Sequence, residues 1–205
     1  MGQYFKIHPE NPQKRLIDKA AAILEEDGIM VYPTDTNYGL GCSIFNRKGV
    51  ERIVRLKELK SSHQLSILCA DLSDISTYAR VDNPTYRLIK RFLPGPYTFV
   101  LKASREVPKS ILPKRETIGL RIPDHPICLD LLKAFGKPVL STSFRLPGQQ
   151  IESDPEKIRE MVETQVDMII DGGVLPSNPS TVVDLTGESP VVLREGVGDP
   201  SIFQG

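Results

Sequence analysis

Short apolar segments alternate with amphipathic segments along most of the chain, and this alternation limits the fold more than any other sequence feature. IMVY at 29–32 and PVLSTS at 138–143 have the length and β-branched content of buried strands. GVERIVRLKEL at 49–59 instead places apolar residues at helical spacing. Strand-rich portions interrupt this βα order. We therefore predict an α/β fold, a twisted open sheet of parallel and antiparallel strands with flanking helices.

Residues that commonly start or end helices flank several of these segments. In the first helix Asn11 is predicted to cap, Pro12 to occupy the first turn and Gly28 to end it. Asp154 and Pro155 give the same signal for a later helix. The remaining predicted helices cover 49–59, 71–79, 83–93, 125–136 and 154–164. The predicted strands cover 29–32, 65–69, 97–103, 117–123, 138–143, 166–171, 180–186 and 191–195.

Length and composition fit one soluble domain, which we place over 1–205 with its core at about 14–198. The 26 basic and 26 acidic residues balance, which argues against a protein that binds nucleic acid over its whole surface. The N-terminus lacks a signal region and no apolar run reaches membrane-spanning length. Three isolated cysteines and three scattered histidines form no disulfide or zinc pattern. We expect a cytoplasmic protein with no membrane association and no metal held by protein ligands.

Polar clusters follow or precede four of the predicted strands. They are PTDTNYGLG at 33–41, RIPDHP at 121–126, STSFRLPGQ at 141–149 and PSNPSTVVD at 176–184. Ligands of open α/β sheets bind beyond strand ends, so these clusters could share one polar pocket. Each cluster taken alone also has the composition of an ordinary turn.

The residue types in these clusters suit anions and hydroxyl groups. Short hydroxyl side chains bind phosphates or carboxylates, and an arginine such as Arg121 can contact the same groups with two donors. A surface charge at a strand end is the alternative for Arg121, and a packed core cysteine is the favoured interpretation of Cys42. No Walker A loop, no dinucleotide-binding glycine pattern and no G-x-S-x-G elbow occurs.

Taken together, the clusters resemble the YrdC/YciO family. PTDTNYGLG resembles its P-T-[DE]-T-x-Y-G-L-G hallmark, and RIVRLKELKSSHQLSIL resembles its helix and strand around K-x-R. PGPYTFVLK, TIGLRIPDHP, LSTS, STVVDL and LREG are similar to further family blocks, in the same order. The resemblance spans about 14–198 and rests on several ordered blocks.

The resemblance implies a positively lined concave cavity and a threonylcarbamoyl-AMP synthase activity. Family members join L-threonine, bicarbonate and ATP, and partner proteins transfer the product to tRNA. Binding of double-stranded RNA is also a family property. ATP would be a substrate, with Mg²⁺ held through its phosphates. Positioning and charge neutralisation are the main tasks of such a site.

The family's functional positions map onto this sequence residue by residue. The resemblance implies a threonine side formed by Thr34, Thr36, Tyr38 and Arg121. It implies a nucleotide and phosphate side formed by Arg55, Lys57, Ser141, Thr142, Ser143, Ser180, Thr181 and Arg194. Lys57, Ser143 and Arg145 are the residues assigned to catalysis.

The sequence departs from the family pattern at the phosphate side. Leu59 stands where K-x-R has its arginine, and Arg145 stands where S-x-N has its asparagine. His63 and Gln64 replace the pair before Leu65. We interpret these changes as marks of the YciO branch, with either a weak synthase activity or a related ligase activity on another small acid or nucleotide. We expect Arg145 to supply a replacement cation, from another direction.

Two alternatives to an enzyme remain open. The first is a non-catalytic binder of double-stranded RNA or tRNA, whose backbone would contact a basic set of Arg55, Lys57, Lys60, Arg121, Arg145 and Arg194. The second is a nucleotide sensor that keeps the pocket without turnover.

Overall fold

A computed structural model describes residues 1–59, 65–111 and 116–203. The predicted basic residue Lys60 and the replacements His63 and Gln64 lie outside these ranges. The helices are α1 (Lys14–Glu25), α2 (Arg47–Leu56), α3 (Leu72–Tyr78), α4 (Asn83–Ile89), α5 (Pro126–Phe135) and α6 (Pro155–Val162). The strands are β1 (Gln3–Lys6), β2 (Ile29–Pro33), β3 (Tyr38–Ser43), β4 (Ser66–Leu68), β5 (Tyr97–Lys102), β6 (Thr117–Arg121), β7 (Val139–Ser143), β8 (Met168–Asp171), β9 (Thr181–Asp184) and β10 (Val191–Arg194).

These strands form one mixed sheet in the order β1-β8-β2-β3-β7-β4-β6-β5-β9-β10. The sheet contains both parallel pairs, such as β4 with β6, and antiparallel pairs, such as β3 with β7. The predicted single-domain α/β sheet of mixed direction is therefore confirmed. None of the helices in the described ranges is long and apolar enough to cross a membrane.

The predicted helix signals hold for α5 and α6 and fail at both ends of α1, which ends at Glu25 with Asp27, not Gly28, in the left-handed conformation. Asp154 accepts a hydrogen bond from the backbone N–H of Glu156 and caps α6, and Gly136 ends α5 with a φ of 68°. The predicted cap at Asn11 is wrong. Helix α1 begins at Lys14 after Gln13, which makes no side-chain cap, while the N–H of Asn11 donates to His8 Nδ1.

Large apolar side chains cover the sheet on both faces. On one face Leu40, Ile67, Phe99, Leu120 and Leu140 pack against the helices α2, α3, α4 and α6. On the other face α1 and α5 pack together over residues of β2, β7 and β8. Helices α1 and α5 cover only the part of this second face that lies over these residues, and the rest of the face has no helix of the described ranges above it.

Candidate functional site

The uncovered part of the second face is made of small and polar side chains. Cross-strand neighbours in one row are Gly41, Ser141, Ser66 and Gly119, from β3, β7, β4 and β6. A Cβ atom at Gly119 would lie only 2.8 Å from Ser66 Oγ, so this position accepts no larger residue without movement. Because side chains alternate along strands, the same four strands send large apolar residues to the opposite core. The small side chains therefore leave an open space above the sheet on this second face only.

Two adjoining cavities occupy this room. The inner cavity has a volume of about 220 Å³ and the outer cavity about 960 Å³. Both are lined by Ser66 and Thr98 and by the cations Lys57, Arg145 and Arg194. Arg121 adds a fourth cation to the inner cavity, and none of the described residues that line it is acidic. The outer cavity also has Glu58 and Glu116 at its wall.

The turn between β2 and β3 closes one end of the inner cavity. Thr34 Oγ1 donates to the carbonyl of Asn37 at 2.6 Å and accepts from the N–H groups of Thr36 and Asn37. Thr34 and Asn37 both line the inner cavity. Asn37 also donates to Ser143 Oγ at 3.3 Å and thereby joins the turn to β7. The hydroxyl groups of this turn mainly build the turn itself.

Arg121 is buried and is held by three protein groups. Its guanidinium donates to Asp35 Oδ1 at 2.6 Å, to Thr36 Oγ1 at 2.9 Å and to the carbonyl of Gly95 at 3.3 Å. Its exposed fraction is 6%. The surface interpretation of Arg121 is therefore wrong: this arginine is fixed at the end of β6 by an ion pair with Asp35.

Lys57 joins the end of α2 to β7 at the border of the two cavities. Its Nζ donates to Thr142 Oγ1 at 2.9 Å and to the carbonyl of Ser143. Burial, followed by the positive charge of Arg145, lowers the pKa of Lys57 to about 8. The predicted helix at 49–59 is too long, because α2 ends at Leu56.

The turn after α2 explains the position of Lys57. The N–H of Glu58 donates to the carbonyl of Arg55, and the N–H of Leu59 to that of Val54, which is the Schellman pattern of helix termination. Glu58 occupies the left-handed position, with a φ of 47°, where glycine is usual. Leu59 then lines the outer cavity.

Arg145 and Arg194 differ in how the protein holds them. Arg145 is exposed, lines both cavities and has no hydrogen bond or ion pair with any described residue. Arg194 donates to the carbonyl of Ser180 and to Ser180 Oγ, which itself lies 2.8 Å from Thr98 Oγ1. Desolvation, with the charges of Arg121 and Arg145, lowers the pKa of Arg194.

The three hydroxyl residues of the β7 end all line the inner cavity. Ser141 Oγ accepts a hydrogen bond from the hydroxyl of Tyr32 at 2.7 Å. Thr142 accepts from Lys57, and Ser143 accepts from Asn37. The structure therefore brings together Thr34, Lys57, Arg121, Ser141, Thr142, Ser143, Arg145, Ser180 and Arg194.

Four sequence-predicted residues line neither cavity. Tyr38 belongs to the apolar core on the opposite face of the sheet, and its hydroxyl donates to the carbonyl of Gly173 at 2.7 Å. Thr36 lies behind Arg121, and Thr181 donates to the carbonyl of Gly198. Arg55 is exposed on α2. Cys42 is a core residue as predicted, and burial raises its pKa to about 12.

Sequence reasoning missed several residues of the cavities. The sequence pattern identifies Asn37 only as a turn residue and does not identify Asp35 as the partner of Arg121. Thr98 and Ser66 lie within predicted strands, where a polar residue between apolar neighbours signals the side that faces away from the core. That alternation in YTFVLKA could have identified Thr98. The polar pair Asp124–His125 of the RIPDHP cluster directly precedes α5. His125 is the residue before the first turn of this helix, and its side chain makes no capping hydrogen bond.

A family model named Sua5_yciO_yrdC, with the description "Telomere recombination", matches residues 22–196. The chain belongs to this family. YciO of Escherichia coli K12 is 52% identical over 205 residues, 99% of this chain and 100% of that protein. Its crystal structure superposes with a TM-score of 0.95 over 99% of this chain and 100% of that chain.

Synthases of the family are more distant relatives. The threonylcarbamoyl-AMP synthase of Pyrococcus abyssi is 33% identical over 179 residues, 86% of this chain and 53% of that protein. The crystal structure of P. abyssi Sua5 complexed with L-threonine superposes with a TM-score of 0.88 at 31% identity, over 94% of this chain and 57% of that chain. The YciO relationship that the sequence indicated is confirmed.

Proposed function

We propose that this protein forms threonylcarbamoyl-AMP from L-threonine, bicarbonate and ATP, at a rate below that of the synthases. The inner cavity supports this function most directly. It combines four cations with hydroxyl side chains, and no acidic residue lines it among those described. Such a lining suits a crowded triphosphate beside a small hydroxy acid. The threonine complex and the synthase name belong to relatives about 30% identical, which supports the same chemistry here.

The two ends of the cavity suggest a division of labour. Thr34 and Arg121 lie at the turn end, where threonine would bind, with Thr36 and Tyr38 holding the turn and the strand behind it. Lys57, Arg145 and Arg194 lie at the border of the two cavities, where phosphates would bind, with Ser143 and Ser180 beside them.

The proposed synthase reaction requires little acid–base catalysis by the protein. The threonine amine forms a carbamate with bicarbonate-derived CO₂, the carbamate oxygen attacks the α-phosphorus, and pyrophosphate leaves. Lys57 and Arg145 would stabilise the added negative charge in the transition state. Mg²⁺ would bind mainly to phosphate oxygens and water, because the described residues contain no group of three His, Cys, Asp or Glu side chains suited to a metal ion.

Leu59 gives a physical reason for a low rate. Its side chain lines the outer cavity and cannot donate a hydrogen bond to a phosphate. Removal of a charge-stabilising donor from an active site costs about 10²–10³ in rate in other enzymes. Arg145, which lines the same cavity, would recover part of this loss.

Pyrophosphate release tests this function. We expect release from ATP only when threonine and bicarbonate are both present, at a lower rate than with the P. abyssi synthase measured in parallel. Lys57→Met should lower the rate at least about tenfold. The matched control is Arg55→Met, since Arg55 is exposed and lines neither cavity.

Two other outcomes would point to other functions. Tight nucleotide binding without pyrophosphate release under any combination of substrates would identify a sensor. RNA binding that weakens steeply with salt and is unaffected by saturating ATP would identify an RNA-binding protein.

A further inference from the structure

The amino group of Lys57 is held by two acceptors. Thr142 Oγ1 lies 2.9 Å from Nζ, and the carbonyl of Ser143 lies on the same side, at the end of β7. The turn after α2 fixes the other end of the side chain. Nζ therefore has one tetrahedral position left, beside the cavity that Lys57 lines.

This geometry accommodates a neutral amine. A neutral amine has two N–H bonds, which match the two acceptors, and its lone pair takes the remaining position. An ammonium ion has a third N–H, for which no acceptor occurs among the described residues, and it faces the charge of Arg145. Desolvation and Arg145 lower the pKa of Lys57 to about 8, so roughly a tenth of the amine is neutral at pH 7, against less than a thousandth for an ordinary lysine.

We propose that Lys57 is a carbamylation site, at which the neutral ε-amine adds dissolved CO₂. The nitrogen lone pair forms the N–C bond, and one C–O π pair moves onto oxygen. The nitrogen then releases one proton to solvent. The product is a carbamate anion on Nζ, and CO₂ is the only co-reactant. The step does not depend on the proposed synthase reaction.

The cavity provides partners for the carbamate. Its nitrogen keeps one N–H for the Ser143 carbonyl, and the Thr142 hydroxyl can turn to donate to a carbamate oxygen. Arg145 has no partner among the described residues and lines the same cavity, so its guanidinium is available to the new carboxylate. Arg121 is already occupied by Asp35.

Carbamylation would also control the phosphate end of the cavity. It replaces a cation with an anion at the position where the phosphates of ATP are proposed to bind. CO₂, which adds to the neutral amine, and nucleotide, whose phosphates would pair with the ammonium ion, would then compete for Lys57. This regulatory consequence, unlike the modification itself, rests on the proposed function.

Chemical trapping provides the test. Protein without nucleotide is equilibrated with CO₂ and bicarbonate, treated with triethyloxonium ion to esterify carbamates, and digested for mass spectrometry. We expect an ethoxycarbonyl group on Lys57, with occupancy at constant CO₂ that rises with pH through about 8. The N-terminal amine is the internal positive control, and exposed Lys133 is the negative control.

Matched variants distinguish the site from general reactivity. Arg145→Met should lower the occupancy about tenfold, the worth of a charge-assisted hydrogen bond, whereas Arg55→Met should leave it unchanged. Inorganic pyrophosphate should displace the carbamate. Labelling of Lys57 no greater than that of Lys133, in a sample whose N-terminus is labelled, would overturn the proposal. Pyrophosphate release without trapping contradicts carbamylation alone, and trapping without release contradicts the synthase alone.

Discussion

Arg121 and Arg145 both line the inner cavity, yet the protein surrounds them in opposite ways. Arg121 is 6% exposed and donates to Asp35, Thr36 and Gly95. Arg145 is exposed and has no hydrogen bond or ion pair with a described residue. Protein groups thus hold the arginine at the turn end, where Asp35 Oδ2 is buried without a hydrogen-bond partner among the described residues. The arginine at the other end has a charge that a ligand can neutralise. The contrast teaches that the chain fixes the end of the cavity proposed to bind threonine and leaves open the end proposed to bind phosphates.

The strongest test of this contrast removes each arginine in turn. Arg121→Met leaves Asp35 as a buried charge without its partner, so we expect the free energy of unfolding to fall by about 3–5 kcal/mol. Arg145→Met should change it by no more than about 0.5 kcal/mol. Urea unfolding of the two variants measures both values.

A double substitution separates charge from packing. Asp35→Asn combined with Arg121→Met removes both members of the ion pair, and it should recover part of the stability lost in Arg121→Met. If the double variant is as unstable as the sum of the two single variants, the lost packing of Arg121 explains the effect and the ion pair does not.

Lys57 lies between the two ends and should make anion binding depend on pH. Its ammonium form is the one proposed to bind phosphate, and its lowered pKa means that this form is lost as the pH rises above about 8. In buffer purged of CO₂, we expect the affinity for ATP to fall by up to about tenfold per pH unit above that value. Calorimetric titration at several pH values measures it.

Lys57→Arg provides the control for this pH dependence, because arginine keeps its charge over the same range. A decline of equal size in that variant would assign the effect to another group. The same lowered pKa makes burial of the charged lysine unfavourable below about pH 8. This cost to stability should decrease as the pH rises from about 8 towards the ordinary lysine value.

The partner-free state of Arg145 predicts a loss of affinity without a loss of stability. Arg145→Ala should weaken ATP binding about tenfold, the worth of one charge-assisted hydrogen bond. Its unfolding transition should match that of the unsubstituted protein. Unchanged ATP affinity would show that Arg145 does not replace the missing asparagine and arginine of the family pattern.

The sequence predicted the order of strands and helices well where a segment is long and periodic, but it missed two strands. Strand β1 is a four-residue edge strand. Strand β3, YGLGCS, contains two glycines directly after turn residues, and its neighbours β2 and β7 supply the pairing that makes it a strand. Tertiary pairing overrides local propensity in both cases.

The sequence predicted which segments form the candidate site better than it predicted which side chains of those segments face the cavity. The four predicted polar clusters do meet at one cavity, to which they contribute Thr34, Arg121, Ser141 and Ser180. The face on which Tyr38 lies could not be inferred, because it depends on the register of β3 and a shift of one residue reverses every side chain. The partner of Arg121 was equally hidden, since Asp35 is 86 positions distant in sequence.

The turn after α2 offers the smallest and most local test of how the open end is held. Glu58 has a φ of 47° at a position where glycine carries no steric penalty. Glu58→Gly should therefore raise the free energy of unfolding by about 0.5–1 kcal/mol, measured by urea unfolding. Glu51→Gly, inside α2, should lower it by about 1 kcal/mol. A loss of stability in Glu58→Gly would mean that contacts of the Glu58 side chain outweigh its backbone strain.

The same variant tests how Lys57 is positioned, because the turn holds one end of its side chain. If the two Lys57 hydrogen bonds to β7 are sufficient to place Nζ, the affinity of Glu58→Gly for ATP should stay within about twofold of that of the unsubstituted protein.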